Sequence, residues 1–421
     1  MIKVNKLYVK RIVSIIAMTG VIFSTTGCSN KIKSANLMKN VKASVVEKKE
    51  LDENFIKQTA NFSVKLFQKS VKENENSMIS PVSVMMALSM TANGADTATK
   101  EEMEQLLAGG RSIDELNEFL YAYKNQLPSD ADNKLSLANS IWFRDDKDRL
   151  KVEPDFLQKN ANYYGAEAYE SPFDKTTVED INQWVKDHTG GMIDNMVDKI
   201  DKDSIMYLLN AVAFDAKWEN PYTKNDVNSG EFTAWDGTIR SVDMMSSNEG
   251  LYLDDGTATG IIKNYKGGLY SFVALLPNEG INVNDYLESL TGEHLLSIIE
   301  NAQSTTVVTR IPKFSYDYTI KMNDALKELG LQTAFDQDTA DFSKLGSSSD
   351  GNIYIAEVLH KSYISVDELG TKAGAVTKVE MATESAMETR HEVLLNRPFV
   401  YAIIDNNTKL PIFLGTVMDI N

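Results

Sequence analysis

A segment near the C-terminus, residues 368–384, most constrains how this chain can fold. Small or apolar residues stand at every second position from 371 to 381, and three of the five residues between them are charged, the other two being Gly374 and Val376. The small or apolar positions are Thr371, Ala373, Ala375, Thr377, Val379 and Met381, and the charged neighbours are Lys372, Lys378 and Glu380. Successive side chains of a strand point to opposite faces, so this alternation predicts a strand with one core face and one solvent face. No proline interrupts it, so every amide is available to a sheet.

The position of this segment disagrees with its pattern. The segment lies beside residues 383–392, a polar stretch that is typical of an exposed loop. The pattern alone leaves two interpretations open. The segment is an ordinary amphipathic strand or a flexible Ala/Gly/Thr loop, or it is a central strand that is held outside its sheet.

Composition excludes several functional classes. The chain carries 43 bases and 60 acids, a net charge of −17, which does not favour nucleic-acid binding by counterion release. A single cysteine, Cys28, excludes an internal disulfide framework and a metal site of four thiolates. The four histidines show no HExxH spacing, and GxSxG, Walker A and GxGxxG are absent from the sequence. We therefore predict no catalytic activity, no metal and no cofactor, and a hydrolase is disfavoured because no nucleophile–base motif is recognisable.

The N-terminus has the pattern of an export signal. Four bases precede a short apolar stretch, residues 12–23, which is too short to cross a bilayer as a helix. Small residues then lead into Cys28, and this arrangement resembles the lipobox of bacterial lipoproteins, although Thr25 stands where leucine is usual. We predict a signal peptide over 1–27, a lipid on Cys28, and a tether over 28–50 that holds the protein on the outer face of a bacterial cell membrane. The alternative is a plain secretory signal that ends near Cys28.

The body of the chain, residues 51–421, has no second linker and mixes helices with long strands. Ser80-Pro81 predicts a helix start, and the spacing of Thr99 with Glu102 and of Ser112 with Glu115 is that of capping boxes. Residues 205–218 form an almost continuous apolar run, which indicates a strand buried on both faces. Residues 399–404 and 410–417 predict a closing hairpin. Strands and helices without strict alternation favour a single α+β domain.

Ordered motifs along residues 51–421 resemble the serpin family. They include Asn76-x-x-x-Ser80-Pro81-x-Ser83, Leu137-Ala138-Asn139, Ile181-Asn182-x-Trp184-Val185, Asn210-Ala211-Val212-Ala213-Phe214 with Lys217-Trp218, Pro312-Lys313, His360-Lys361, Asp367-Glu368-x-Gly370-Thr371, Asn396-Arg397-Pro398-Phe399 and Phe413-x-Gly415. The resemblance implies a metastable single domain of three β-sheets and about nine helices, with an exposed reactive loop at about 368–392. The resemblance also implies a function, the inhibition of proteases. In this mechanism the target protease cleaves the loop and is trapped as an acyl-enzyme while the cleaved loop inserts into the central sheet.

The resemblance also assigns site residues. The hinge comprises Glu368, Gly370, Thr371, Ala373, Gly374, Ala375 and Thr377. Ser80, Ser83, Asn210 and His360 match a sheet-opening cluster, and Trp218, Lys313 and Glu368 match the region where insertion begins, called the breach. The family's spacing after Glu368 places the reactive bond between Glu384 and Ser385. Cleavage at Met381, Met387 or Arg390 is the alternative.

The resulting functional prediction is a monomeric, irreversible inhibitor of serine endopeptidases. Glu384 in the target's specificity pocket favours glutamate-specific enzymes, and some cysteine proteases are further candidate targets. The alternative is a non-inhibitory serpin that is cleaved as a simple substrate or acts as a binding protein. The predicted partners are the target proteases and the membrane reached through the lipid on Cys28, and no nucleic acid is expected.

Overall fold

The computed structural model describes residues 32–145, 150–202, 204–349, 351–371 and 391–420. The helices of these residues are Glu53–Ser70 (α1), Pro81–Ala92 (α2), Thr97–Ala108 (α3), Ile113–Gln126 (α4), Pro154–Tyr164 (α5), Lys175–His188 (α6), Val283–Ser289 (α7), Gly292–Glu300 (α8) and Asn323–Glu328 (α9).

The strands are Ala35–Asn36 (β1), Ser77–Ile79 (β2), Asn133–Arg144 (β3), Leu150–Val152 (β4), Glu167–Ser171 (β5), Met206–Lys217 (β6), Val227–Thr233 (β7), Ile239–Asp254 (β8), Ala258–Asn264 (β9), Tyr270–Pro277 (β10), Gln303–Pro312 (β11), Phe314–Lys321 (β12), Gly346–Ser348 (β13), Glu357–Val366 (β14), Gly370–Thr371 (β15), His391–Leu394 (β16), Phe399–Asp405 (β17) and Pro411–Val417 (β18).

A seven-stranded sheet, which we call the main sheet, has the strand order β1-β5-β3-β6-β15-β14-β12. The apolar run predicted as a doubly buried strand is its central strand β6. Side chains on one face of β6, such as Leu208 and Phe214, join the large core that contains α2. Those on the other face, such as Leu209, pack with Trp184 of α6. Burial on both faces explains why this strand is apolar throughout rather than alternating.

A nine-stranded sheet packs on the other side of α2. Its order is β16-β11-β8-β9-β10-β17-β18-β2, with β7 paired to β8. The predicted closing hairpin is confirmed, since β17 and β18 pair in antiparallel fashion from Phe399↔Val417 onward. With the two-stranded sheet of β13 and β4, the described residues form three sheets and nine α-helices, and the predicted α+β single-domain fold is confirmed.

Two helix starts were predicted from capping boxes, and one of them is wrong. The backbone N–H of Glu115 donates to the Ser112 hydroxyl, so α4 begins as predicted. Helix α3 begins at Thr97 instead of near Thr99. The Glu102 carboxylate does not reach back along its own helix, because it accepts the backbone N–H groups of Gln332 and Thr333 from a distant loop.

The described part of the predicted tether, residues 32–50, differs from a free linker. Strand β1 pairs with β5 at the edge of the main sheet. One carboxylate oxygen of the buried Asp180 accepts the backbone N–H groups of Lys33 and Ser34, at 2.9 and 2.6 Å, and the Ser34 hydroxyl at 2.6 Å. This docking could not be predicted from the polar composition of residues 28–50. Most of its hydrogen bonds are donated by backbone N–H groups, which every sequence has and no sequence pattern marks. In the described part of the chain, no helix is both long and apolar enough to cross a membrane.

Candidate functional site

A tight turn joins β14 to the two-residue strand β15. The Asp367 carboxylate accepts the backbone N–H groups of Leu369, at 2.8 Å, and Gly370, at 3.2 Å. Burial raises the pKa of Asp367, and the two amide donors partly oppose that shift. A side chain at Gly370 would place its Cβ 2.0 Å from the carbonyl oxygen of Ala216. Only glycine lets the chain pass this close to β6, so Gly370 fixes the point at which the loop enters the sheet.

Strand β15 lies between the two central strands of the main sheet. Gly370 and Thr371 pair in antiparallel fashion with Lys217 and Ala216 of β6. Thr371 also pairs with Val366 of β14. Farther along the sheet β6 and β14 pair directly with each other, in parallel. Gly370 and Thr371, near the start of the predicted reactive loop, therefore already form a short wedge between strands that are otherwise joined.

The Thr371 side chain is buried and points into the core. It is 1% exposed, and its hydroxyl lies 2.5 Å from that of Tyr265, which is also buried. The Tyr265 ring stacks on Trp218 with ring centroids 4.5 Å apart. The environment of residue 371 therefore suits a small side chain that can form a hydrogen bond.

Trp218 and Tyr222 hold the backbone of the hinge. The Trp218 indole N–H donates to the carbonyl of Asp367 at 2.9 Å. Its backbone N–H donates to the carbonyl of Leu369 at 2.9 Å, and the backbone N–H of Tyr222 donates to that of Glu368 at 2.8 Å. The three consecutive carbonyls of residues 367–369, where the hinge begins, are thus bound by one short segment, residues 218–222.

Lys313 and Glu368 form an ion pair beside the hinge, with Nζ and Oε2 2.6 Å apart. The Lys313 ammonium lowers the pKa of Glu368. Burial lowers the pKa of Lys313, but Glu368 outweighs that effect and the net shift is upward. Because the side chains are 29% and 39% exposed, the pair is worth about 0–1 kcal/mol and orients the hinge more than it stabilises the fold.

The predicted sheet-opening residues come together where β6 and β14 pair directly. His360 and Asn210 are register partners, and Nδ1 of His360 lies 2.5 Å from Oδ1 of Asn210. The Asn210 amide donates to the Ser83 hydroxyl and to Oδ1 of Asn139. The backbone N–H of Ser80 donates to Nε2 of His360 at 3.2 Å. This arrangement requires a neutral imidazole with its proton on Nδ1.

The structure differs from the sequence prediction at three residues of this region. Ser80 takes part through its backbone, and its hydroxyl has no hydrogen-bond partner among the described residues. Asn139 belongs to the cluster, although the resemblance assigned it only to the motif Leu137-Ala138-Asn139. The Ser362 hydroxyl, two residues from His360, likewise donates to the carbonyl of Met78 at 2.8 Å and ties β14 to β2. For Asn139 the available signal was a polar residue among the alternating apolar positions of residues 135–143.

Acid is expected to weaken this cluster. Burial lowers the pKa of His360 to about 3, against an ordinary value near 6.5. The unfolded chain therefore binds this proton first as the pH falls, and the free energy of unfolding decreases between pH 6.5 and pH 3. By pH 5 the contribution is about 2 kcal/mol. Protonation would also place a donor on Nε2 opposite the Ser80 N–H.

Denaturant unfolding at pH 5, 7 and 8 of the protein and of His360→Gln tests this. We expect the variant to lose about 2 kcal/mol less than the parent between pH 7 and pH 5. Between pH 7 and pH 8 the two should change alike, which serves as the control. Equal losses at acid pH would contradict a neutral, buried His360.

Six predicted site residues, Ala373, Gly374, Ala375, Thr377, Glu384 and Ser385, lie outside the described residues, as does Cys28. Their roles stay predictions. Tyr265 and Tyr222 were missed by sequence reasoning, and each contacts the hinge through one hydrogen bond across a large sequence separation. Within the described ranges, no group of three or more His, Cys, Asp or Glu side chains is placed to hold a metal ion.

Comparison with known proteins agrees with this architecture. Residues 57–420 match the family model described as "Serpin (serine protease inhibitor)". The chain is 30% identical over 372 residues to "Alpha-1-antiproteinase S" of Cavia porcellus, covering 86% of this chain and 89% of that protein. It is 33% identical over 276 residues to an "Alpha-1-antitrypsin homolog" of Cyprinus carpio, covering 64% and 72%.

Solved structures give the same result. The thermophilic serpin tengpin in its native state is 51% identical, with a TM-score of 0.89 over 92% of this chain and 100% of that one. The same protein in its latent state gives a TM-score of 0.80 over 89% of this chain. The higher score shows that the conformation described above is more similar to the native state of that relative.

Proposed function

The chain belongs to the serpin family, whose members typically inhibit proteases, and on that premise we propose that it is an irreversible, suicide-substrate inhibitor of serine endopeptidases. The supporting observation is strand β15, the wedge that already lies between β6 and β14. Insertion of the rest of the loop would lengthen this wedge.

The registers of the three strands agree with such an insertion. Each residue added after Thr371 would move one position back along both β6 and β14. Nine residues after Thr371, residue 380 would pair with Tyr207 on one side and Glu357 on the other. In the present structure these two residues are register partners of each other. A loop that extends β15 would therefore enter the gap without a register shift on either side.

The sheet-opening cluster lies in the path of this strand. Six steps after Thr371, residue 377 would come between Asn210 and His360, whose side chains now bond to each other. Insertion would break that contact, and the hydroxyl of Thr377 is a replacement partner of suitable chemistry. Because the buried polar groups must be satisfied both before and after insertion, the cluster would act as a gate.

The free energy for trapping would come from the new strand. Roughly ten added residues, at about 1 kcal/mol net per backbone hydrogen bond, contribute on the order of 10 kcal/mol. Insertion would also exchange the parallel β6–β14 pairing for antiparallel pairing, which is slightly more stable per residue.

The chemical step would belong to the target. Its serine oxygen attacks the carbonyl carbon of Glu384, the bond to the nitrogen of Ser385 breaks, and the freed amine leaves with a proton. The ester that remains joins the protease to Glu384. Insertion then carries that ester along the sheet before water can hydrolyse it. An acidic residue at this position supports a glutamate-specific target, and cysteine proteases would form the equivalent thioester.

Incubation with a glutamate-specific serine endopeptidase tests the proposal. We expect an adduct of higher mass that survives boiling in SDS, and a released C-terminal fragment whose first residue is Ser385. The same protease with its serine blocked should give neither product. Complete cleavage without an adduct would favour the alternative, a serpin that is a simple substrate. A fragment beginning elsewhere would relocate the bond to Met381, Met387 or Arg390.

We further propose that a lipid on Cys28 holds the inhibitor on the outer face of a bacterial membrane, after removal of residues 1–27. The sequence pattern around Cys28 supports this. Labelling with a fatty-acid probe that persists in a Cys28→Ala variant would refute it.

A further inference from the structure

A buried ion pair lies beside the segment that holds the hinge. Nζ of Lys263, on β9, is 2.7 Å from Oε1 of Glu249, on β8, and the side chains are 2% and 12% exposed. The ammonium also lies 4.5 Å from the centroid of the Tyr222 ring and 5.4 Å from that of the Trp218 ring. The ammonium also donates to the carbonyl oxygen of Asn220, at 3.5 Å.

Burial of this ion pair is unfavourable in free energy. Removing a lysine and a carboxylate from water has a large desolvation cost, and apolar residues of similar size often stabilise such a site better. Its contacts indicate a more specific role than stability. Apart from Glu249, every contact named above is made with the segment 218–222, which binds the hinge carbonyls of residues 367–369.

Glu249 is itself fixed in place. The Ser247 hydroxyl lies 2.6 Å from Oε1 of Glu249 and 3.3 Å from the hydroxyl of Tyr222. Thr309 of β11 lies 3.0 Å from Ser247, oxygen to oxygen. Tyr222 is therefore held at the face of its ring by Lys263 and at its hydroxyl by Ser247. The ammonium joins a rigid sheet to the segment that grips the hinge.

We propose that Lys263, oriented by Glu249, is a positioning residue for the reactive-loop hinge. It fixes the rings of Trp218 and Tyr222 over the ammonium, and through them the three backbone contacts that hold residues 367–369 in register with β6. A loop that starts in register inserts before the acyl-enzyme is hydrolysed. The inference rests on the proposed inhibitory function for this last consequence, while the effect on the hinge contacts can be measured without any protease.

Hydrogen exchange of the intact, uncleaved protein is the primary test. In the double variant Lys263→Met/Glu249→Gln, which removes both charges, we expect the backbone amides of Trp218 and Tyr222 to exchange about tenfold faster. Cation–π contacts of this kind are strong enough for such a change. The single variant Lys263→Arg keeps a cation over both rings and should exchange like the parent.

Lys49→Met is the matched control. Lys49 also pairs with a glutamate, Glu118 at 2.9 Å, and also lies over an aromatic ring, Phe119 at 4.1 Å, but both contacts are made with α4 and not with the segment 218–222. Its loss should leave exchange at Trp218 and Tyr222 unchanged. If the double variant does not fold, Ser247→Ala keeps the two charges paired but removes the hydroxyl that contacts Glu249 and Tyr222, and it should raise the same two exchange rates by a smaller factor.

The protease readout then separates the two proposals. The double variant should need about threefold more inhibitor per protease trapped, and Lys49→Met should need the same amount as the parent. If the parent forms no adduct, the proposed function fails, and the exchange rates still decide the role of Lys263. Parent-like exchange in a folded double variant would overturn the inference, even if its melting temperature changed.

Discussion

Replacing Thr371 by arginine is expected to convert the protein from an inhibitor into a substrate. Thr371 is 1% exposed, and its hydroxyl lies 2.5 Å from that of Tyr265. Arginine at this position would need either to bury an unpaired charge, at several kcal/mol, or to pull β15 out of the sheet. In both cases insertion would start late, and since each 1.4 kcal/mol is a factor of ten, we expect the trapped fraction to fall at least about 100-fold.

The measurement is the ratio of SDS-stable adduct to cleaved, free inhibitor after reaction with an excess of the target protease. Thr371→Ser keeps the hydroxyl that faces Tyr265 and is the matched control, so it should retain most of the adduct. Thermal unfolding of the uncleaved variants shows whether the native fold is intact. Undiminished adduct with arginine at residue 371 would refute the buried, inward role of this position.

Replacing Glu384 by arginine is expected to redirect inhibition to trypsin-like enzymes. The residue before the cleaved bond fills the specificity pocket of the protease. A pocket built for a carboxylate presents donor or positive groups, so a guanidinium there would be buried without a partner and would leave those groups unpaired as well. We expect the rate of adduct formation with a glutamate-specific enzyme to fall by at least about 1,000-fold, since pockets built for a particular polar group discriminate by factors of 10⁴ or more. Adducts with trypsin should appear in its place.

Second-order rate constants of adduct formation with both enzymes, for the parent and the variant, provide the check. Glu392→Arg makes the same charge change on β16, beyond the proposed bond, and should leave the preference as it was. An unchanged preference in Glu384→Arg would show that the bond lies elsewhere in the loop, and sequencing of the C-terminal fragment would then locate it.

The fold was largely predictable from the sequence because its longest elements have unambiguous patterns. The apolar run 205–218 became β6 with a difference of one residue at each end. The hairpin of β17 and β18 followed from two short apolar runs. Helix starts were less reliable. A capping box is recognised from side chains three residues apart, and the Glu102 carboxylate binds a loop more than 200 residues away instead.

The residues of the candidate site were predictable only where the family resemblance assigned them. The cluster of Ser83, Asn210 and His360 does come together, and so does the pair of Lys313 and Glu368. Nothing in the local sequence of Lys263 suggests a buried ammonium, because β9 reads as an ordinary strand. Its partner Glu249 lies on the neighbouring strand β8, and the two rings around it come from a loop more than 40 residues earlier.

The docking of residues 33–36 has a practical consequence for anyone who trims this protein for the laboratory. The boundaries of the family match, 57–420, would suggest a chain that begins after this segment. Such a chain would lack the three donors that the Asp180 carboxylate accepts and would uncover the edge of β5. An open edge strand invites pairing with other molecules, so a shortened version should keep everything from residue 32 onward if it is to stay monodisperse on purification.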